Sequence, residues 1–234
     1  MTEAKFFAGR TGLGIRVAVI DSGVYGDHPH VGGITGGVAI SAGARDHNDH
    51  VDRIGHGTAV AAAIREKAPD TQIFAVKVFD RSLTTHIETL VEAIDWAAQH
   101  EIRLANLSLG TANAEHEDAL REAITRTAGQ GLLVVSAYED GGVRWLPGSL
   151  PKVVPVVLDW DCPRDEYRID QSTDGRVLLR ASGYPRPIPG VSPERNLKGP
   201  SFAVANMTGF IARALEAHPN ANFEELISAL SRHV

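Results

Sequence analysis

The chain has 234 residues, 43% of them hydrophobic and 22% charged, which excludes a disordered tail, a fibre and a coiled coil. A formal net charge of −6 argues against a protein that grips nucleic-acid phosphates, and no nucleic-acid partner is expected. The single cysteine, Cys162, leaves no intramolecular disulfide, so a reducing, cytoplasmic setting is the expectation.

The chain opens on MTEAKFFAGR, which lacks the apolar run of a secretory signal. No later run approaches the ~18 apolar residues that a membrane span requires, so no membrane partner is expected. Residues 16–20 read as a strand and 56–67 as a helix. A strand at 73–79, a helix at 85–99, a strand at 104–109, a helix at 117–128 and strands at 132–137 and 153–158 follow. The strands are runs of Val, Ile and Leu without polar alternation, as in parallel strands covered on both faces. Within 85–99, Ile87, Leu90, Val91, Ile94 and Ala98 recur at spacings of three and four, one face of a helix. Between residues 142 and 199 prolines and glycines are frequent and helical periodicity is absent. Strands and loops laid against one side of the sheet are expected there. Helices return at 201–217 and 223–232. No repeat or linker divides the chain. The alternation of strand and helix predicts one α/β domain over residues 1–234, built on a doubly wound sheet with right-handed crossovers.

Chemistry in such a sheet gathers beyond the carboxyl ends of the strands. Three segments there carry a signal. In VAVIDSGV, Asp21 ends the first strand, and Asp-Ser-Gly is equally good turn chemistry. A dinucleotide fingerprint fails, because Gly-x-Gly-x-x-Gly does not follow this strand. In GHGTAVAAAI, His56 opens a helix whose small residues permit close packing, and a capping or packing histidine reads as well as a reactive one. The helix start also disfavours an imidazolium. In KGPSFAVANMTGF, Ser201 opens an apolar helix, where serine is a common cap. Free N–H groups at such a start can stabilise an oxyanion.

Together the three are far more specific. The order Asp, His, Ser is that of subtilisin and of neither chymotrypsin nor the α/β-hydrolases. Ala203 also breaks the Gly-x-Ser-x-Gly of the latter. The chain resembles the subtilisin-like serine proteases, the subtilase family. VAVIDSGV, GHGTAVAAAI and GPSFAVANMTG match its three active-site blocks, and NLSLG at 106–110 matches a fourth that lines the substrate site. The resemblance runs from about Gly14 to the last helix. It implies a three-layer, doubly wound, mostly parallel α/β sheet and a serine endopeptidase acting on a peptide or protein. It implies that Asp21 orients His56, that His56 is general base and acid, and that Ser201 is the nucleophile. It further implies that Ser108, Leu109 and Gly110 pair with an extended peptide, Gly110 leaving it room, while Ala137 and Tyr138 form the opposite side of the pocket.

Departures set further expectations. The family's oxyanion-binding Asn aligns with Asp140, where an ionised carboxylate would repel the oxyanion, so either a half-buried site keeps it protonated or it turns away and leaves the Ser201 N–H as the donor. With Glu139 it makes the pocket mouth acidic, which favours a basic or polar residue near the cleaved bond. Ala205-Asn206 replaces the usual Pro-His, and Ala59 replaces a second His. The chain leaves no room for a pro-domain before the first strand, which suggests processing of a particular substrate, such as a precursor peptide. His28, His30, His47, His50 and His56 match no standard metal spacing. No cofactor is expected; the alternative is structural calcium, which occurs in the family, although no acidic loop here stands out for it. The competing reading is a peptide-binding module on the same scaffold with little or no catalysis.

Overall fold

The computed structural model describes residues 6–41 and 43–232, so residues 1–5 of the amino-terminal segment lie outside the described residues. Among the described residues ten strands form one sheet. They are β1 (Arg16–Asp21), β2 (Gly36–Ser41), β3 (Ala44–Asp46), β4 (Gln72–Lys77), β5 (Leu104–Leu107), β6 (Leu133–Asp140), β7 (Val143–Arg144), β8 (Val153–Leu158), β9 (Tyr167–Gln171) and β10 (Val177–Ala181). The order is β3-β2-β4-β1-β5-β6-β8-β10-β9, with β7 paired to β6. From β2 to β10 neighbours run parallel, while β3, β7 and β9 are antiparallel.

Both faces are covered, which explains the unbroken apolar strands. In β1, Val17 and Val19 join a core with α1 (His56–Lys67), α4 (Pro200–Ala217) and α5 (Phe223–Ser231). Ala18 and Ile20 point the other way, into a core with α2 (Ile87–Gln99) and α3 (Glu117–Ala128). A three-layer α/β architecture results. Helix α4 is enclosed on every side, and each residue from 202 to 215 is buried.

One expectation is corrected. The segment between 142 and 199 does not lie against a face of the sheet; β8, β10 and β9 extend its edge. Leu179 and Ala181 of β10 enter the α1/α4/α5 core, while β9 alternates buried and exposed residues as an edge strand does.

The amino-terminal stretch is tied down by Glu216 near the end of α4. Its carboxylate accepts N–H bonds from Thr11 at 2.7 Å, Gly12 at 2.7 Å and Leu13 at 3.2 Å. Burial pushes its pKa up, but these bonds and one from Arg10 outweigh that and hold it below 4.5. A depressed carboxyl pKa stabilises the fold above its unfolded value, and the benefit disappears as pH falls through the folded value. Glu216→Ala is expected to cost about 2 kcal/mol at neutral pH, measured as a lower Tm, with little difference from wild type once both are acidified.

Candidate active site

Asp21 ends β1 fully buried. Directly above it, α1 starts at His56. A Cβ on Gly57 would lie 2.2 Å from the Gly23 carbonyl oxygen and 3.1 Å from Asp21 Cβ, so only glycine lets the first turn settle on the strand end. That contact brings His56 Nδ1 to 2.8 Å from Asp21 Oδ1 and 2.9 Å from Oδ2. The Ser22 N–H donates to the same Oδ1 at 2.7 Å.

A second carboxylate, missed by the sequence reading, organises this corner. Asp52 accepts from the Ser22 hydroxyl at 2.8 Å, from the N–H groups of Ile54 at 2.9 Å, Gly55 at 2.8 Å and Thr58 at 2.9 Å, and from the Thr58 hydroxyl at 2.7 Å. The Ser22 hydroxyl in turn accepts from the Gly57 N–H at 3.0 Å. Asp52 therefore takes up the orphan donors at the start of α1 and fixes the turn that presents His56. Burial raises the Asp52 pKa, but this set of donors outweighs it and holds the carboxyl below its ordinary value. An aspartate four residues before a helix-opening histidine is the only signal that could have found it. Burial of His56 lowers its pKa, yet the hydrogen bond and charge of Asp21, with the charge of Asp52, prevail and raise it above 6.5. These carboxylates overcome the dipole effect expected at a helix start.

Ser201 occupies the first turn of α4, after Gly199 and Pro200, where the helix offers its N–H no partner. Its Oγ donates to the Ser108 carbonyl at 3.2 Å, and Ser108 Oγ donates back to the Ser201 carbonyl at 3.2 Å. The Asn106 amide donates to Ser108 Oγ at 2.8 Å, and the Thr208 hydroxyl donates to Asn106 Oδ1 at 2.9 Å. This chain of bonds locks the end of β5 to the start of α4. Phe202, next to Ser201, faces His56 with ring centroids 5.8 Å apart. Asp21 and His56 thus meet directly, and the start of α4 reaches them through Phe202, the neighbour of Ser201. Among the described residues no hydrogen bond joins Ser201 to His56. Such contacts are often loose without a substrate and tighten when one binds.

The predicted substrate residues are placed less simply. Leu109 packs into the α2/α3 core. Gly110 is exposed, but a Cβ there would meet the Leu146 carbonyl at 2.9 Å and Trp145 Cβ at 3.4 Å. Its missing side chain serves the protein's own packing rather than a peptide. Thr111 and Leu146 exchange both N–H···O bonds at 2.9 Å alongside. Ala137 is half-buried. Tyr138 is buried, its ring flanked by the Arg144 and Arg176 guanidiniums at 5.4 and 5.5 Å, so its side chain does not stand free in a cleft. Asp140 is exposed, which corrects the half-buried, protonated alternative and leaves the one in which it turns away. The reason is that β6 runs on into a hairpin with β7, turning through Gly141 and Gly142, and Asp140 sits at that turn. Glu139 pairs in register with Arg144 across the same hairpin.

Asn206, where the family pattern has histidine, donates to the carbonyls of Ser182 at 2.9 Å and Tyr184 at 3.0 Å and ties the stretch after β10 to α4. Cys162 is no rival nucleophile: burial, aided by the charge of Asp159, raises its thiol to about 11. Among the described residues no group of three or more His, Cys, Asp or Glu side chains could hold a metal ion.

Comparison with known proteins follows this geometry. Residues 12–151, more than half of the chain, match the Peptidase S8 profile, the Subtilase family. That stretch contains Asp21 and His56, and Ser201 lies beyond it. The minor extracellular protease Epr of Bacillus subtilis (strain 168) is 34% identical over 148 residues. The alignment covers 58% of this chain and 21% of Epr, so the chain spans a minor part of that relative's length. A solved structure described as a cold adapted subtilisin-like serine proteinase has a TM-score of 0.74 at 24% identity, over 94% of this chain and 82% of that one. Another, described as a lanthipeptide protease, has a TM-score of 0.67 at 21% identity, over 91% and 77%. Both share the fold.

Proposed function

The chain belongs to the subtilase family, and on that premise we propose that it is a serine endopeptidase with Ser201 as nucleophile, His56 as general base and Asp21 as the carboxylate that orients it. The observation that carries this reading is the two-oxygen grip of buried Asp21 on His56 Nδ1, beside the helix start that bears Ser201. With its proton held on Nδ1, the imidazole presents a free Nε2. Release from the Ser108 carbonyl frees the Ser201 hydroxyl for that nitrogen. His56 takes the hydroxyl proton as Oγ attacks the peptide carbonyl, then gives it to the leaving amine. The Ser201 N–H faces the developing oxyanion. Ser108, at a strand end that touches Ser201, lets an extended peptide add alongside. Action on a particular peptide or protein, such as a precursor cut to maturity, is the finer reading, and a narrow profile of cleaved peptides would support it.

Labelling with a fluorophosphonate probe, located by mass spectrometry, tests the assignment. Modification of Ser201 in the wild type and none in His56→Ala is expected. The second reading, a binding module with little catalysis, is favoured by the Ser201 hydroxyl resting on Ser108 and by a carboxylate where the family has an amide. It requires an unlabelled Ser201.

The raised pKa of His56 gives a pH prediction. Catalysis needs the neutral ring, so kcat/KM should rise through a midpoint above 6.5. Asp52→Asn removes one of the charges that hold this value up and weakens the acceptors at the start of α1. The midpoint should move to lower pH, and the plateau should fall about tenfold or more as His56 loses its placement. An unmoved midpoint would mean that Asp52 acts only as a structural cap.

A further inference from the structure

We propose that Trp145 plugs the pocket beside Ser201 and restricts the residue on the acyl side of the cleaved bond to glycine, alanine or serine. This rests on the peptidase reading and names its substrate class.

Strands β5 and β6 are paired as far as Leu107 and Ser136. Beyond that pair they part, and the cleft between parting strand ends is where a substrate side chain would enter. Here the chain returns into that gap after the β6–β7 hairpin. The Trp145 N–H donates to the Tyr138 carbonyl at 2.9 Å, on the β6 side. The next residue, Leu146, is bonded both ways to Thr111 at 2.9 Å, on the β5 side. A Cβ on Gly148 would lie 1.8 Å from the Ala137 carbonyl oxygen, so this backbone is seated directly on β6. The segment therefore bridges both sides of the pocket.

The Trp145 side chain lies against the β5 side of that gap. A Cβ on Gly110 would lie 3.4 Å from Trp145 Cβ and 3.6 Å from Cε3, so the indole rests against the Gly110 α-carbon. Leu107 and Leu109 face the α2/α3 core, so the alternation places Gly110 with Ser108 on the opposite side, where Ser108 Oγ bonds Ser201. The indole thus fills the space on the Ser201 side that the absent Gly110 side chain would otherwise leave open. Trp145 is only half-buried, so it forms a floor at shallow depth rather than part of the sealed core. A methyl or hydroxymethyl group fits above such a floor, while a leucine, phenylalanine or arginine side chain meets the ring.

The test uses peptides with fixed flanks and Gly, Ala, Ser, Leu, Phe or Arg on the acyl side, cleaved by the full chain and by Trp145→Ala. Fluorophosphonate titration supplies the concentration of working sites in each. The wild type is expected to disfavour Leu, Phe and Arg by about 10²-fold in kcat/KM against Ala. Trp145→Ala should recover at least about tenfold of that for Leu and Phe, with its titre unchanged. Trp145→Phe, which keeps a ring and guards against misfolding of the alanine variant, should fall between. A wild type that cuts after Leu, Phe or Arg as fast as after Ala overturns the proposal and leaves the peptidase reading standing. So does a profile that neither variant changes. Zero titre and no cleavage in the wild type overturn the peptidase reading and this one with it.

Discussion

Ser201→Ala is expected to lower kcat on any peptide that the wild type cleaves by about 10⁶-fold, a magnitude that comes from subtilisin itself and not from this structure. His56→Ala should fall to the same floor, and the double variant no further, because base and nucleophile act as one unit. The structure makes the serine experiment clean. The Ser201 hydroxyl donates one hydrogen bond, to the Ser108 carbonyl, so its removal should cost only about 1 kcal/mol of stability. The Ser108–Ser201 carbonyl bond and the Asn106–Thr208 link behind it remain. A variant that melts like the wild type and has lost its activity identifies a chemical role. Retention of more than about 1% of wild-type kcat would place the nucleophile elsewhere.

Much of this arrangement was legible in the sequence because it rests on local chemistry. Val17 to Ile20 announce a strand covered on both faces, and Asp21 stands at its end where such sheets do their chemistry. Both His56 and Ser201 open helices, and the small residues that follow them announce close packing before any contact is seen. What escaped depends on chain segments that meet only after folding. β2 was hidden because its first two residues, Gly36 and Gly37, carry no strand preference. Asp52 lies in a loop, and its value comes from five donors that the fold gathers around it. Gly110 read as room for a substrate, whereas Trp145 and Leu146, distant in sequence, already occupy that room. Asp140 aligned with an oxyanion donor by register, but two glycines after it turn the strand into a hairpin and leave it exposed. Local pattern located the residues proposed to react; pairing across long loops set the surroundings in which they lie.

Asp21→Asn should cost about 10⁴-fold in kcat while leaving the fold intact, and the reason lies in a bond that does not involve His56. Oδ1 of Asp21 accepts the buried Ser22 N–H at 2.7 Å. An asparagine must keep its carbonyl oxygen there, since turning the amide round would set its NH₂ against that N–H. The NH₂ group then takes the place of Oδ2, 2.9 Å from His56 Nδ1. A donor now faces Nδ1 beside the retained Oδ1 acceptor at 2.8 Å, so the tautomer with its proton on Nδ1 loses its preference and less of the neutral ring can accept from Ser201 at Nε2. Loss of the Asp21 charge also lowers the His56 pKa, which alone would increase the share of neutral ring. The two effects separate with pH. Measured well above the wild-type midpoint, where the wild-type ring is also neutral, a pure change in protonation would vanish. The tautomer defect and the missing charge beside the imidazolium of the transition state would persist. Full recovery of activity at high pH would therefore reduce Asp21 to a regulator of the His56 pKa and remove it from the orienting role.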